Sequence, residues 1–509
     1  MGADPSSRPH PRRRPLVKRR TALLAAPVLL VSGCFSGGGG SSSDDGADRI
    51  RLALAFPPVA ALSPWTDDAV LLTRMGVAES LVAFDASGAA QPQLAESWES
   101  TDDRTAVLEL RDDVVFHDGT PMDAEAVAGS LNAAAAADPP VRVLTGVGLT
   151  ATAVDEDTVQ VQAAQADPLL VQRLGAPALV VLSPDAYGEG APDPVGHGTG
   201  PYAITAVQGT QSATLDAATA YWDGTPAADG VDVRFVDDAG ARTSALRAGE
   251  LDVVQGVPVA QLPTLGEDQR VVTTSLPRVT ALSLNTSTGV FADPALRAAA
   301  VAAVDAEPVV EGVFEGQADV APGLLTDATL GSAARPAPVL PSAADPAGAS
   351  IRLATYDDRP ELPEAAAVLA EQLRAAGFTV EVVVQTYATL EPDLLAGAFD
   401  AVLGSRLTLL DTGDPIGFFG TDYTCDGGYN LARLCEPAVD AAVEAAGALT
   451  DPLERRQAAA DLEAAVLSTG AVVPVLHEQS RTGVAQGVQG VGEDPFERQV
   501  VTVATTTGR

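Results

Sequence analysis

SIRLATYDDRPELPEAAAVLAEQLRAAGFTVEVVVQTYATLEPDLLAGAFDAVLGSR, residues 350–406, carries the alternation that decides the fold class. Ile351, Leu353 and Thr355 alternate as the buried positions of a strand do. A helix is expected from about Leu362 to Ala376, with Leu369, Leu373 and Ala376 on one face and Gly377 placed to cap its end. Phe378, Val380, Val382 and Val384 then alternate on a second strand. A second helix near Leu390 to Ala398 leads into a third strand, Asp400 to Gly404. Strand–helix–strand–helix–strand at this spacing predicts an α/β fold with a parallel sheet. Ligands of such sheets sit outside the carboxyl ends of the strands, which puts Arg406 and Asp411 on a candidate binding edge.

Toward the amino terminus, residues 50–55 read as a first strand, followed by the proline-bearing loop Phe56 to Trp65. Residues 69–83 read as helical. Thr105 to Leu110 and Val114 to Phe116 read as two short strands around Arg111-Asp112-Asp113. A helix start follows, with Thr120 as N-cap, Pro121 at the first helical position and Asp123 three residues after the cap. Ala124 to Ala137 continue that helix, and Asp138-Pro139-Pro140 end it.

At the chain start, six arginines and Lys18 form a basic head between residues 8 and 20. Thr21 to Val31 is an apolar run about half as long as a membrane-crossing helix. It leads into Val31-Ser32-Gly33-Cys34, which resembles the lipobox of bacterial lipoproteins. The resemblance implies a signal peptide over 1–33 and acylation of Cys34 as the new amino terminus. The protein would then be extracytoplasmic, lipid-anchored to the outer face of the cell membrane or periplasmic. Gly37 to Gly40 and Ser41 to Ser43 make 34–47 a flexible tether. An uncleaved membrane helix or a disordered tail is the competing reading. Arg19-Arg20 also leaves twin-arginine export open beside the general route, although Ala22 stands where that signal prefers phenylalanine.

The 509 residues suffice for two or three domains with their own cores, and a hydrophobic content of 46% argues against disorder. Formal charge is −37, and removing the seven bases and one acid of residues 1–33 leaves 67 acids against 24 bases, about −43. Such a surface repels nucleic acid and anionic headgroups. It favours amine-bearing ligands at long range, or simply solubility. After Cys34 only Cys425 and Cys435 remain. In an oxidising compartment two thiols in one short glycine-containing loop are expected to form a disulfide. The alternative is a metal site, but no histidine lies in that loop.

Several segments line up with one family. Ala78-Glu79-Ser80-Leu81-Val82 and Leu94-Ala95-Glu96-Ser97-Trp98-Glu99 form the first pair of blocks. Phe116-His117-Asp118-Gly119-Thr120-Pro121 and Gly198-Thr199-Gly200-Pro201-Tyr202 follow, with Tyr221-Trp222 about twenty residues on. Ala245 to Val253 and Leu284-Asn285-Thr286-Ser287 to Arg297 complete the series. In this order the blocks resemble the family 5 solute-binding proteins, extracytoplasmic receptors of ABC importers for peptides, nickel chelates and related solutes. The resemblance implies a periplasmic-binding-protein-like type II (cluster C) fold, two α/β lobes joined by a hinge plus an inserted extra domain. It places lobe I at 48–85, 190–280 and 480–509, the inserted domain at 86–189, and lobe II at 281–479. It further implies a monomer that closes on a small solute, a peptide above all, and docks on permease subunits driven by ATPase partners. No cofactor, resident metal, catalysis or nucleic acid is implied.

Asp411, in Leu409-Leu410-Asp411-Thr412-Gly413-Asp414-Pro415, matches the aspartate that in the peptide-binding branch pairs with the ligand's α-ammonium. A carboxylate in a closed cleft suits that role. The sequence departs from the branch where Thr408-Leu409 stand in place of a tryptophan, which puts Thr408 at the expected ligand position. The competing reading of Asp411 is a solvated turn acid. Arg406 is placed either to grip a ligand carboxylate or to pair with Asp411 or Asp400. Asn285 either orients ligand backbone groups or braces the crossover, and Trp65 with Phe56 either walls the pocket or belongs to the core. Gly196, Gly198 and Gly200 form a turn rather than a dinucleotide loop, because Pro201 follows. His117 reads as structural, and His197 and His477 are too far apart in sequence to suggest a metal site. A nickel-chelate or haem receptor is the alternative within the class. A secreted hydrolase is the rival from outside it, without a Gly-x-Ser-x-Gly or His-Glu-x-x-His motif to support it.

Overall fold

Leu353 and Val380 sit buried on neighbouring strands, Ser350–Tyr356 and Thr379–Gln385, which run parallel with Leu353 opposite Val382. Parallel strands need a crossover, and the helix Glu361–Ala375 supplies it, burying Leu362, Leu369 and Leu373 against them. A second helix, Tyr387–Leu395, leads into Ala401–Leu407, which pairs on the other side of Ser350–Tyr356. The unit read from residues 350–406 is therefore parallel, with its first strand in the middle. The third strand runs three residues past the expected end, so Arg406 lies within it, opposite Val279, rather than after it. The computed structural model describes residues 48–188, 190–409 and 411–508; the signal, tether and Cys34 lie outside them.

One sheet path continues from this unit. Its order is Thr379–Gln385, Ser350–Tyr356, Ala401–Leu407, Gln269–Leu284, Val472–Ala485, Val253–Gln255, Arg49–Leu54, Gly230–Phe235, Ser212–Ala217 and Tyr202–Gln208. Arg49–Leu54 is parallel to both of its neighbours, so a second α/β unit stands at the far end. The sheet passes from one unit to the other through Gln269–Leu284 and Val472–Ala485, an antiparallel pair 16 and 14 residues long. One end of this pair joins Ala401–Leu407 and the other joins Val253–Gln255. The register shifts between Ser275 and Val279 and again at Thr280–Ala281. Pro277 lies in the first shift, where its missing N–H cannot serve the ladder, and its carbonyl turns to accept from Thr408 instead.

A separate four-stranded antiparallel sheet, in the order Ala95–Ser100, Thr105–Leu110, Thr158–Gln162 and Thr150–Ala153, packs under the helix Ala124–Ala135. Its core, including Leu108, Val127, Leu131 and Val159, is distinct from those of the two α/β units. The helix begins three residues later than expected. Asp123 is the N-cap, accepting from the Ala126 amide at 2.8 Å, while Pro121 bridges to Val115. Asp118 takes the Thr120 amide and hydroxyl into its own turn, which removes Thr120 from capping. The helix expected over 69–83 covers only Ala69–Arg74. Gly76 stops it with φ +68°, where a side chain would meet Pro201 and the Val501 carbonyl.

Among the described residues no helix is long and apolar enough to cross a membrane. Cys425 and Cys435 are bonded in the loop between the helices Pro415–Asp422 and Pro437–Gly447, with Cα atoms 4.3 Å apart.

Candidate functional site

The register shift on the long strand pair opens a cavity of about 120 Å³ where the two α/β units meet. Thr274, Leu276 and Thr280 come from one long strand, and Glu478, Arg481 and Thr482 from the other. Arg359 enters from the carboxyl end of Ser350–Tyr356, the edge at which α/β sheets place their ligands. Glu497 closes the cavity from the C-terminal segment. That segment turns around Asp494, whose carboxylate accepts from the Phe496, Arg498 and Gln499 amides, and Glu497 sits in the turn at φ +55°.

Buried charges crowd this junction. Glu478 accepts from Arg359 Nη1 at 2.9 Å and from Thr280 Oγ1 at 2.7 Å. Burial alone would raise its carboxyl, but Arg359 and Arg278 outweigh that and hold it below the usual range. The same pairing with Glu478 raises Arg359. Arg481 donates to the Val257 carbonyl at 2.9 Å and to Glu361 at 3.2 Å. Arg359 was missed in the sequence; the available signal was its place as the first cation after the first parallel strand.

Asp411 does not line this cavity; it lies where several other segments converge. Arg142, from the region of the four-stranded sheet, donates to Asp411 Oδ2 at 3.1 and 3.3 Å, and its Nη1 is 3.8 Å from Asp67 Oδ1. Arg456 Nη2 reaches Ser87 Oγ at 2.8 Å. Beside them Gly88 and Gly413, both at positive φ, pack backbone on backbone so closely that a Cβ on either would collide with the other's carbonyl. Trp65 packs 6.4 Å from Tyr187, partly buried against the core of the four-stranded-sheet region, whereas Phe56 is 63% exposed.

The remaining expected site residues are engaged elsewhere. Arg406 pairs with neither Asp411 nor Asp400. It forks onto Asp422 at 2.7 and 2.8 Å and lies 4.2 Å over the Tyr429 ring. Thr408 is fully buried, its amide and hydroxyl both donating to the Pro277 carbonyl. Asn285 donates to the Gly397 and Phe399 carbonyls and accepts from Ser287, bracing the crossover into Ala401–Leu407.

The sequence blocks gather away from the cavity. Buried Glu79 accepts from Tyr221 Oη at 2.9 Å and from Trp222 Nε1 at 3.2 Å, and Arg111 lies 4.0 Å over the Trp222 ring. Burial pushes the Glu79 carboxyl up to about 7 despite those donors. His117 donates from Nε2 to the Gly200 carbonyl, 2.8 Å away. Ser183, His197 and Asp118 also meet, but both partners contact the same ring nitrogen, Nδ1, at 2.8 and 3.3 Å. A nucleophile relay needs them on opposite nitrogens.

A family model described as bacterial extracellular solute-binding proteins, family 5 Middle, matches residues 89–430. The chain is similar to the nickel-binding protein NikA of Staphylococcus aureus (strain NCTC 8325 / PS 47), 25% identical over 469 residues covering 87% of this chain and 90% of that one. Its fold is similar to NikA from Brucella suis in complex with Fe(III)-EDTA, at TM-score 0.76 and 21% identity over 90% of this chain and 99% of that one. It is also similar to the periplasmic binding protein DppA from Helicobacter pylori in complex with peptide STSA, at TM-score 0.70 and 20% identity over 88% and 96%. The chain belongs to the family 5 bacterial extracellular solute-binding proteins and has their type II periplasmic-binding fold. It is a solute receptor of the ABC-import type.

Proposed function

We propose that this receptor captures a small peptide-class solute by closing two lobes over the junction cavity, then delivers it to permease subunits whose ATPase partners supply the energy. Lobe I is 48–85, 190–280 and 480–509, lobe II is 281–479, and 86–189 is an inserted domain. The long strand pair is the hinge, because it alone carries the sheet from one α/β unit to the other. The observation that carries the reading is a cavity at the register shift of that pair, lined in part by Arg359, Glu478 and Arg481. Asp411 receives the ligand's ammonium, sharing its carboxylate with Arg142, and Trp65 supplies an apolar wall. Acylated Cys34 anchors the monomer to the outer face of the membrane, and the Cys425–Cys435 bond is kept oxidised there. The experiment is mass spectrometry of solutes released from freshly purified protein, followed by X-ray scattering with each released solute. Compaction on binding is the expected result; a rigid body indifferent to every released solute rejects the trap.

A chelated nickel ion is the second reading, favoured by the nickel-binding relative that spans most of the chain. Among the described residues no group of three His, Cys, Asp or Glu is placed to hold a metal, so the ion would arrive within its own chelator. Metal analysis of the released solute separates the two readings.

A further inference from the structure

We propose that a second cavity, walled by the C-terminal segment, is a binding site for a small organic ammonium with an apolar body; this goes beyond the peptide reading and does not rest on it. The cavity holds about 610 Å³, against about 120 Å³ at the junction. Gly492, Asp494 and Gln499 line both, whereas Glu497 lines only the junction and Phe496 and Arg498 only the second cavity. All of its lining lies within 73–93, 175–223 and 490–504, with none from 281–479, so lobe closure is not needed to form it.

Phe84 and Phe496, ring centroids 5.4 Å apart, make an apolar wall with Val82, Pro177 and Val501. Glu79, only 8% exposed, supplies a carboxylate whose oxygens Tyr221 and Trp222 fix by donating at 2.9 and 3.2 Å. Arg498 is the one cation among the described lining residues, and it is held to the wall. Its Nη1 donates to the Gly175 carbonyl at 2.8 Å, and its guanidinium lies 4.9 and 5.0 Å from the Phe84 and Phe496 ring centroids. Apolar walls with one fixed carboxylate select an amphiphilic cation, because the ammonium makes charge-assisted hydrogen bonds while its body leaves water. An anion would be repelled by Glu79 and by the exposed Asp223. Burial, with Asp223 adding to it, raises the Glu79 carboxyl to about 7 against the donors Trp222, Tyr221 and Thr199, and Arg111 stands behind Trp222. The ammonium takes the ionised form, so Glu79 releases its proton to solvent as the ligand enters.

The test titrates 2-phenylethylammonium into the purified protein by calorimetry, with 2-phenylethanol as its uncharged counterpart. The amine is expected to bind saturably, about tenfold or more tighter than the alcohol. It should bind roughly tenfold tighter at about pH 8 than at about pH 6, with proton release seen as a dependence of the heat on buffer ionisation. Glu79→Gln should abolish the preference for the amine and leave the alcohol unchanged, while Glu250→Gln, an exposed acid outside the cavity, alters neither. The proton release of the unmodified protein serves if Glu79→Gln fails to fold. No binding of the amine, an alcohol as effective as the amine, no proton release, or an unaltered preference in Glu79→Gln overturns the site. Loss of the amine in Asp411→Ala also overturns it, by placing the amine with the cargo, and leaves the receptor reading standing.

Discussion

Asp411 and Glu79 are two carboxylates with opposite surroundings, and their chemistry follows from that difference. Asp411 is partly exposed with an exposed arginine as partner, so an incoming ammonium can share it. Asp411→Ala should weaken a free-amine peptide by roughly tenfold in calorimetry, at an unchanged melting temperature, since hydrogen bonds to charged groups are worth about 1.5–3 kcal/mol. Equal affinity would remove it from the pocket. Glu79 is buried, and its carboxyl is raised from 4.5 to about 7. A raised folded-state value means the native state holds the proton more tightly, so this stabilisation is complete below about pH 4.5 and is lost as pH climbs through 7. Glu79→Gln, which cannot ionise, should therefore gain on the native protein between pH 5 and 8, by at most about 3 kcal/mol. A constant gap between the two melting curves would rule this out.

Elements are tied together here by forks of hydrogen bonds rather than by local propensity. The Arg406–Asp422 pair joins the strand Ala401–Leu407 to the end of the helix Pro415–Asp422, with Asp422 well buried and its carboxyl raised by that burial. Removing Arg406 strands that carboxylate, which costs about 3 kcal/mol. Arg406→Ala should lose stability in denaturant titration, and Asp422→Asn in the same background should recover part of it. A ligand-gripping Arg406 would instead show intact stability and lost affinity. The cysteine-closed loop contributes on the same scale: reducing Cys425–Cys435 should lower stability by about 3 kcal/mol in the chain-entropy model, measured by unfolding with and without reductant.

For the whole molecule the tightest approach between distant segments described above is that of the Gly88 turn to the Gly413 loop, with no room for a Cβ. If closure brings these backbones together, Gly88→Ala should prop the lobes apart without touching the cavity. X-ray scattering should show a larger radius of gyration for the variant, and thermal melting should still report a cooperative fold. Arg142→Ala and Arg456→Ala remove the flanking contacts and should shift the same measurement in the same direction, by less. Identical scattering for all three variants would show that this contact does not set the lobe angle.

The chain alone specified the periodic parts: the parallel unit of residues 350–406 and a family series running from Ala78 to Arg297. Periodicity and glycine placement are local properties, so they survive in one dimension. Only the folded chain decided which charges meet, because Arg406 finds Asp422 sixteen positions away and Arg142 finds Asp411 across 269. It also decided that Pro277 would break the long strand's register and open the cavity. Pairing of buried charges depends on packing between distant segments, and no spacing along the sequence encodes it.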